Sequence, residues 1–142
     1  MRLVSLILLR GTMICSSLSA TTVVKNFSEL VRGGKSAQAA IYQEVTSHPI
    51  VIIKCTMKNC APCKAISPQF EALATKYRGL ASCIELDVHL FDDVIRPYAI
   101  KKAPSFILFY HARHAKTFHG SDAFMEIAPH IEAYLKRDLS KA

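Results

Sequence analysis

The chain has 142 residues, a length that fits one domain and can bury a core of ordinary size without covalent staples. With 51% hydrophobic residues, 20% charged residues, five Gly and six Pro, the composition excludes a disordered, collagenous or low-complexity chain. Formal net charge is +7, and residues 21–142 keep 16 Lys and Arg against 11 Asp and Glu, but these basic residues are scattered. Trp is absent and no stretch alternates basic with aromatic residues, so the signature of a nucleic-acid surface is missing. The moderate positive excess suits acidic protein partners or anionic surfaces.

The first twenty residues, MRLVSLILLRGTMICSSLSA, have an early Arg2, an apolar run from Leu3 to Leu9, and small residues leading to Ala20. They resemble a secretory signal cleaved after Ala20, which leaves 21–142 as a single domain. Arg10 interrupts the apolar region, and Met13 is an alternative start that would shorten the segment. The apolar run is far below the roughly 20 residues that cross a bilayer, so no membrane span is expected. Cys15 follows Ile14 instead of a small residue, which argues against a lipoprotein cleavage site.

Thr21 to Lys25 suits a short edge strand, and Asn26 or Ser28 can cap a helix through Phe27, Leu30 and Val31 that ends at Gly33-Gly34. Residues 36–47 carry Ala39, Ala40, Ile41 and Val45 in helical spacing before His48-Pro49 breaks the chain. The β-branched run IVIIK is the kind of segment expected in a central strand buried on both faces. From Cys63 to Tyr77, Ile66, Phe70, Leu73, Ala74 and Tyr77 recur at three- and four-residue steps, a helix in which Pro62 is tolerated and Pro68 should introduce a kink. CIELDV (83–88) predicts a second central strand and DDVIRPYAI (92–100) a short helix. SFILFY (105–110) predicts a third strand, 111–114 a turn, and 115–118 a fourth strand. Phe124, Ile127, Ala128, Ile131 and Leu135 form the stripe of a C-terminal helix capped by Ser121 or Asp122, with Pro129 bending or dividing it. A βαβ unit followed by a ββα unit makes a mixed sheet of four to five strands with helices on both faces, an α/β fold.

Five cysteines, at 15, 55, 60, 63 and 83, are too few and too irregular for a disulfide scaffold, and the one short pair is Cys60-Ala61-Pro62-Cys63. A cysteine at the start of a helix is exposed and meets unpaired N–H groups and the positive end of the dipole, which favours its thiolate. Cys60 is therefore the expected nucleophile, and Cys63, one turn on, the resolving thiol. Lys54, Lys58 and Lys64 add local positive charge. The same pair could supply half of a zinc site, but no second C-x-x-C exists, and His111, His114 and His119 suit a solvated hairpin better than a ligand set. No metal is expected. Cys55 and Cys83 lie in apolar strands and suit small buried core residues.

NCAPCKAISP and the later KKAPSFILF, in this strand-helix order, resemble the thioredoxin family over residues 23–139. The resemblance implies the thioredoxin fold, a redox-active Cys60–Cys63 disulfide in place of any metal or organic cofactor, and a cis peptide before Pro104. It also implies that Ala103, Pro104, Ser105 and, with less specificity, Gly120 bind an extended substrate chain. The departures bear on function. Six positions before the first cysteine, where the family has a buried acid, stands Lys54; Asn59 replaces the family Trp; and Ala61 replaces Gly. Lys54, Asn59 and Lys64 are accordingly the residues expected to tune the thiols, unless Lys54 instead reaches the surface and leaves the sulfurs unaffected. A reduced state stabilised by Lys54 would make the dithiol more oxidising.

The expectation is a thiol–disulfide oxidoreductase or disulfide isomerase, exported to the periplasm or cell envelope. It would be monomeric, would act on protein disulfides or thiols, and would be reset by a redox partner. The alternatives are a cytosolic thioredoxin-type reductant starting at Met13 and a redox-inactive or metal-holding binding module.

Overall fold

The computed structural model describes residues 23–142. The signal-like segment, Cys15 and the first two residues of the expected edge strand lie outside the described residues.

The organising element is strand β2, Ile50–Thr56, in which Ile50 to Cys55 are all buried. Successive side chains point to opposite faces, so Ile50 and Ile52 enter one apolar cluster while Val51, Ile53 and Cys55 enter the other. A strand apolar on both sides has no face for water and takes the middle of the sheet. The five-stranded order is β1-β3-β2-β4-β5, with β1 at Val24–Asn26, β3 at Ser82–Asp87, β4 at Ser105–Tyr110 and β5 at Arg113–His119. Strands β1 and β2 run parallel to β3, whereas β4 is antiparallel to both β2 and β5. The mixed sheet with helices on both faces is thus the architecture that the chain order predicts.

On one face Phe27 of α1 (Phe27–Leu30), Ala40, Ile41 and Val45 of α2 (Ala37–Ser47), and Val94 and Ile95 of α4 (Asp92–Ile95) cover β2, β3 and β4. On the other, Ile66, Phe70, Leu73 and Ala74 of α3 (Ala61–Lys76) join Ile127 and Ile131 of α5 (Ile127–Leu139). Local chemistry sets the helix starts: the Asn26 side-chain oxygen accepts from the Ser28 N–H at 2.9 Å, and the Ser36 hydroxyl accepts from the Ala39 N–H at 3.1 Å. Helix α3 continues through Pro68, which has no N–H to offer the Lys64 carbonyl one turn back.

Three expectations are corrected. The expected 92–100 helix stops at Ile95 and tightens into a 3₁₀ turn, Arg96–Tyr98, because Pro97 cannot donate. The 111–114 turn shrinks to His111-Ala112, and β5 runs longer than its apolar centre, because an edge strand can keep exposed polar side chains while pairing along one side. The C-terminal helix is divided at Glu126, upstream of Pro129, where a 3₁₀ segment, Asp122–Glu126, gives way to α5. Pro129 falls in the first turn of α5, where its missing N–H costs nothing, and neither Ser121 nor Asp122 caps with its side chain.

The β4–β5 turn places two non-glycine residues in the left-handed region, His111 at φ 47° and Ala112 at φ 62°. His111 is held by its N–H to the Pro49 carbonyl at 2.8 Å and by Nε2 at 3.0 Å from Asp138 Oδ1, whereas the Ala112 side chain brings only a methyl group. Ala112→Gly should therefore raise the unfolding free energy by about 0.5–1 kcal/mol, the relief of left-handed strain less the added chain entropy. An unchanged denaturant midpoint would contradict this.

Cys55 and Cys83 are free thiols inside the two clusters, and burial pushes the pKa of each up to about 12. In the folded, reduced protein both should resist iodoacetamide at neutral pH and react only after denaturant is added. Labelling of either in native buffer would show that the core opens readily.

Candidate functional site

The loop after β2 reaches α3 through Asn59, whose φ of 61° is one that asparagine tolerates better than most residues. Cys60 has extended backbone angles and is the N-cap of α3, its Sγ accepting from the Cys63 N–H at 3.2 Å. Cys60 and Cys63 are joined by a disulfide with their Cα atoms 5.3 Å apart. Once reduced, a Cys60 thiolate would lie on the unpaired N–H groups of the first turn and at the positive end of a 16-residue helix, both of which stabilise the anion. Pro62, in that first turn, removes an N–H that has no intrahelical partner. The expectation of an exposed Cys60 is corrected: it is 8% exposed and Cys63 2%, while Asn59, Ala61 and Pro62 around them are exposed. Capping through Sγ turns the sulfur back over the helix start, which covers it.

The antiparallel register sets Ser105 opposite Cys55, so the chain entering β4 lies at the same end of the sheet as the β2–α3 loop. There the Ala103–Pro104 peptide is cis. Ser105 is fully buried; its hydroxyl donates to the Lys102 carbonyl at 2.6 Å and lies 3.2 Å from His119 Nδ1. Gly120 donates its N–H to the Pro104 carbonyl at 2.8 Å. Its φ of 87° suits glycine, and a Cβ there would come within 3.0 Å of Lys102 Nζ. Ala103, Pro104, Ser105 and Gly120 therefore form one braced cluster. Among the described residues, Ala103 itself makes no backbone hydrogen bond. Beside it lies a cleft of about 320 Å³ bordered by Met57, His89, Ile95, Lys101 and Lys102.

Of the three residues expected to tune the thiols, Asn59 and Lys64 are exposed and Lys54 is 1% exposed. Lys54 does not reach the surface. Its ammonium donates to Ser67 Oγ at 2.7 Å and to Glu85 Oε2 at 2.8 Å. Ser67 donates in turn to the Cys63 carbonyl at 3.0 Å. The carboxylate of this region is thus contributed by Glu85, the register partner of Lys54 on β3.

Ser67, Glu85, Lys102 and His119 were not identified from the sequence. Ser67 carried a weak signal, four residues beyond Cys63 on the same helical face, whereas Glu85 becomes visible only once the β2–β3 register is known. His111, His114 and His119 bond to Asp138, Thr117 and Ser105 respectively. Among the described residues no group of three or more His, Cys, Asp or Glu is placed to hold a metal ion. Nor is any described helix long and apolar enough to cross a membrane.

The fold is shared with solved structures at low sequence identity. Thioredoxin NaTrxh from Nicotiana alata superposes with a TM-score of 0.66 at 18% identity, covering 80% of this chain and 93% of that one. Thioredoxin f from spinach chloroplast gives 0.63 at 19%, covering 78% and 92%. In sequence, thioredoxin-1 of Caenorhabditis elegans is 36% identical over 75 residues, which span 51% of this chain and 64% of the relative, a little under two thirds of its length. The thioredoxin family model matches residues 34–133, a span that includes the dithiol, Pro104 and Gly120. Proteins of that family act through a redox-active disulfide and need no cofactor. The agreement of a match over most of the chain with this sheet order and this helix-capping disulfide identifies the chain as a member of the thioredoxin family.

Proposed function

We propose that the protein is a thiol–disulfide oxidoreductase that reduces or isomerises disulfides of protein substrates in the cell envelope, with Cys60 as nucleophile and Cys63 as resolving thiol. The observation that carries this reading is the Cys60–Cys63 disulfide at the N-terminus of α3, at the same end of the sheet as the cis Ala103–Pro104 peptide.

In the reductive direction the Cys60 thiolate attacks one sulfur of a substrate disulfide. A Cys60–substrate bond forms, the substrate S–S bond breaks, and the departing thiolate takes a proton from solvent. Cys63 then loses its proton and attacks Cys60 Sγ, releasing the second substrate thiolate and leaving Cys60–Cys63 oxidised. Two electrons have moved to the substrate, and an external dithiol returns them. In isomerisation the released substrate thiolate attacks another disulfide of the substrate, and the thiolate freed there displaces Cys60 from the mixed disulfide, so no net electrons are consumed. The free backbone groups of Ala103, braced by Ser105 and Gly120, offer an extended substrate chain its hydrogen bonds.

The envelope assignment rests on the signal-like segment ending at Ala20. In cells, the mature protein should begin at Thr21 by mass spectrometry; an intact chain starting at Met1 or Met13 would place it in the cytosol instead.

Cys60→Ser should abolish disulfide reduction, and Cys63→Ser should accumulate mixed disulfides on Cys60 that thiol reductants release. Retention of activity by Cys60→Ser, or the absence of trapped species with Cys63→Ser, would refute the assignment.

A further inference from the structure

Period two in β2 sends Ile50 and Ile52 toward α3 and α5, and Lys54 follows them, its Nζ 5.8 Å from the Phe70 ring centre. An ammonium there is buried beneath the helix that carries the dithiol. Its partners are unequal: Ser67 Oγ leads to the Cys63 carbonyl, whereas the Glu85 side chain, 38% exposed, leads to solvent. The ion pair is therefore oriented, with its cation on the dithiol side and its anion toward water. Water screens the exposed carboxylate more than the buried ammonium, so the pair leaves a net positive field under the first turn of α3.

We propose that Lys54 and Glu85 are positioning residues whose oriented pair, linked through Ser67 to Cys63, stabilises the reduced dithiol and makes Cys60–Cys63 a stronger oxidant than the helix N-terminus alone would. This inference rests on the dithiol being redox-active, as proposed above. It assigns a role to Glu85 and Ser67 and makes the direction of the charge pair, more than its presence, the determinant.

The test uses the full chain and reads the dithiol directly, without a protein substrate. The exchange with glutathione is balanced: reduced protein and one glutathione disulfide give oxidised protein and two glutathione thiols. Two measurements are made, the equilibrium constant of that exchange and the pH titration of thiolate absorbance. The decisive variant is the swapped pair Lys54→Glu with Glu85→Lys, which keeps an ion pair between the strands and reverses its direction. The ionisable groups at the dithiol end of the neighbouring elements stay in place: Lys58 before α3, Lys64 in its first turn, Asp87 ending β3, Lys101 and Lys102 before Pro104, and His119 ending β5.

The swapped variant should keep the wild-type denaturant midpoint, move the thiolate titration to higher pH, and shift the exchange about tenfold toward the protein disulfide. Lys54→Met, close in volume and uncharged, should shift both in the same direction and carries the test if the swap does not fold. A folded swap, or a folded Lys54→Met, with wild-type titration and exchange would overturn the proposal and leave the pair a purely structural one. If Cys60→Ser retains activity, the redox reading itself fails, whatever these two measurements give.

Discussion

The buried ammonium of Lys54 is the constraint to which the active end of the molecule is fitted. Removing an ammonium from water costs several kcal/mol, and a protein tolerates it only with a close anion and with its remaining protons hydrogen-bonded. Both partners must then be held in place. Glu85 is supplied by the parallel β2–β3 register and Ser67 by α3, so the one charge ties the central strand, its neighbour and the catalytic helix together. Loss of Glu85 from such an arrangement typically destabilises by about 3–5 kcal/mol, because the Lys54 charge stays buried without its anion, whereas loss of Lys54 leaves a carboxylate that already reaches water. Satisfaction extends across the described residues: no buried side-chain nitrogen or oxygen lacks a hydrogen-bond partner.

The chemistry depends on sorting four cysteines into two kinds. Cys55 and Cys83 sit buried in strands, where desolvation raises their pKa values and keeps them protonated. Cys60 and Cys63 are also nearly buried, but they lie at the start of α3, where free N–H groups and the dipole offset the loss of water. Burial is therefore unopposed at the first pair and offset by the helix start at the second. The cis peptide at Ala103–Pro104 stands at the same sheet end only because β4 runs antiparallel to β2 and brings its first residue opposite Cys55.

Much of this was legible in the sequence because it was local. IVIIK and SFILFY announced interior strands by their unbroken apolar runs, Ile50 to Ile53 and Phe106 to Phe109, and the spacing of Cys60, Pro62 and Cys63 located the helix start. Strand β5 was harder to read, since RHAKTFH is an exposed edge segment whose polar side chains hide its pairing. Pro129 misled because proline has different meanings in the first turn of a helix and in its interior, and the 3₁₀ segment moved the true start to Ile127. The fate of Lys54 was beyond local reading. Whether a lysine in an apolar strand reaches water or is paired inside depends on Glu85, 31 residues away, and on a register that only the assembled sheet defines.

The most direct test of the account is the equilibrium of the protein across glutathione buffers, with mass spectrometry assigning which cysteines pair. One reversible two-electron couple, Cys60–Cys63, is predicted near the isomerase value of about −180 mV, with Cys55 and Cys83 remaining thiols throughout. A disulfide involving Cys55 or Cys83, or no reversible couple at all, would contradict the assignment of the dithiol. A value near −270 mV, that of thioredoxin itself, would show that the buried Lys54 charge does not reach the sulfurs.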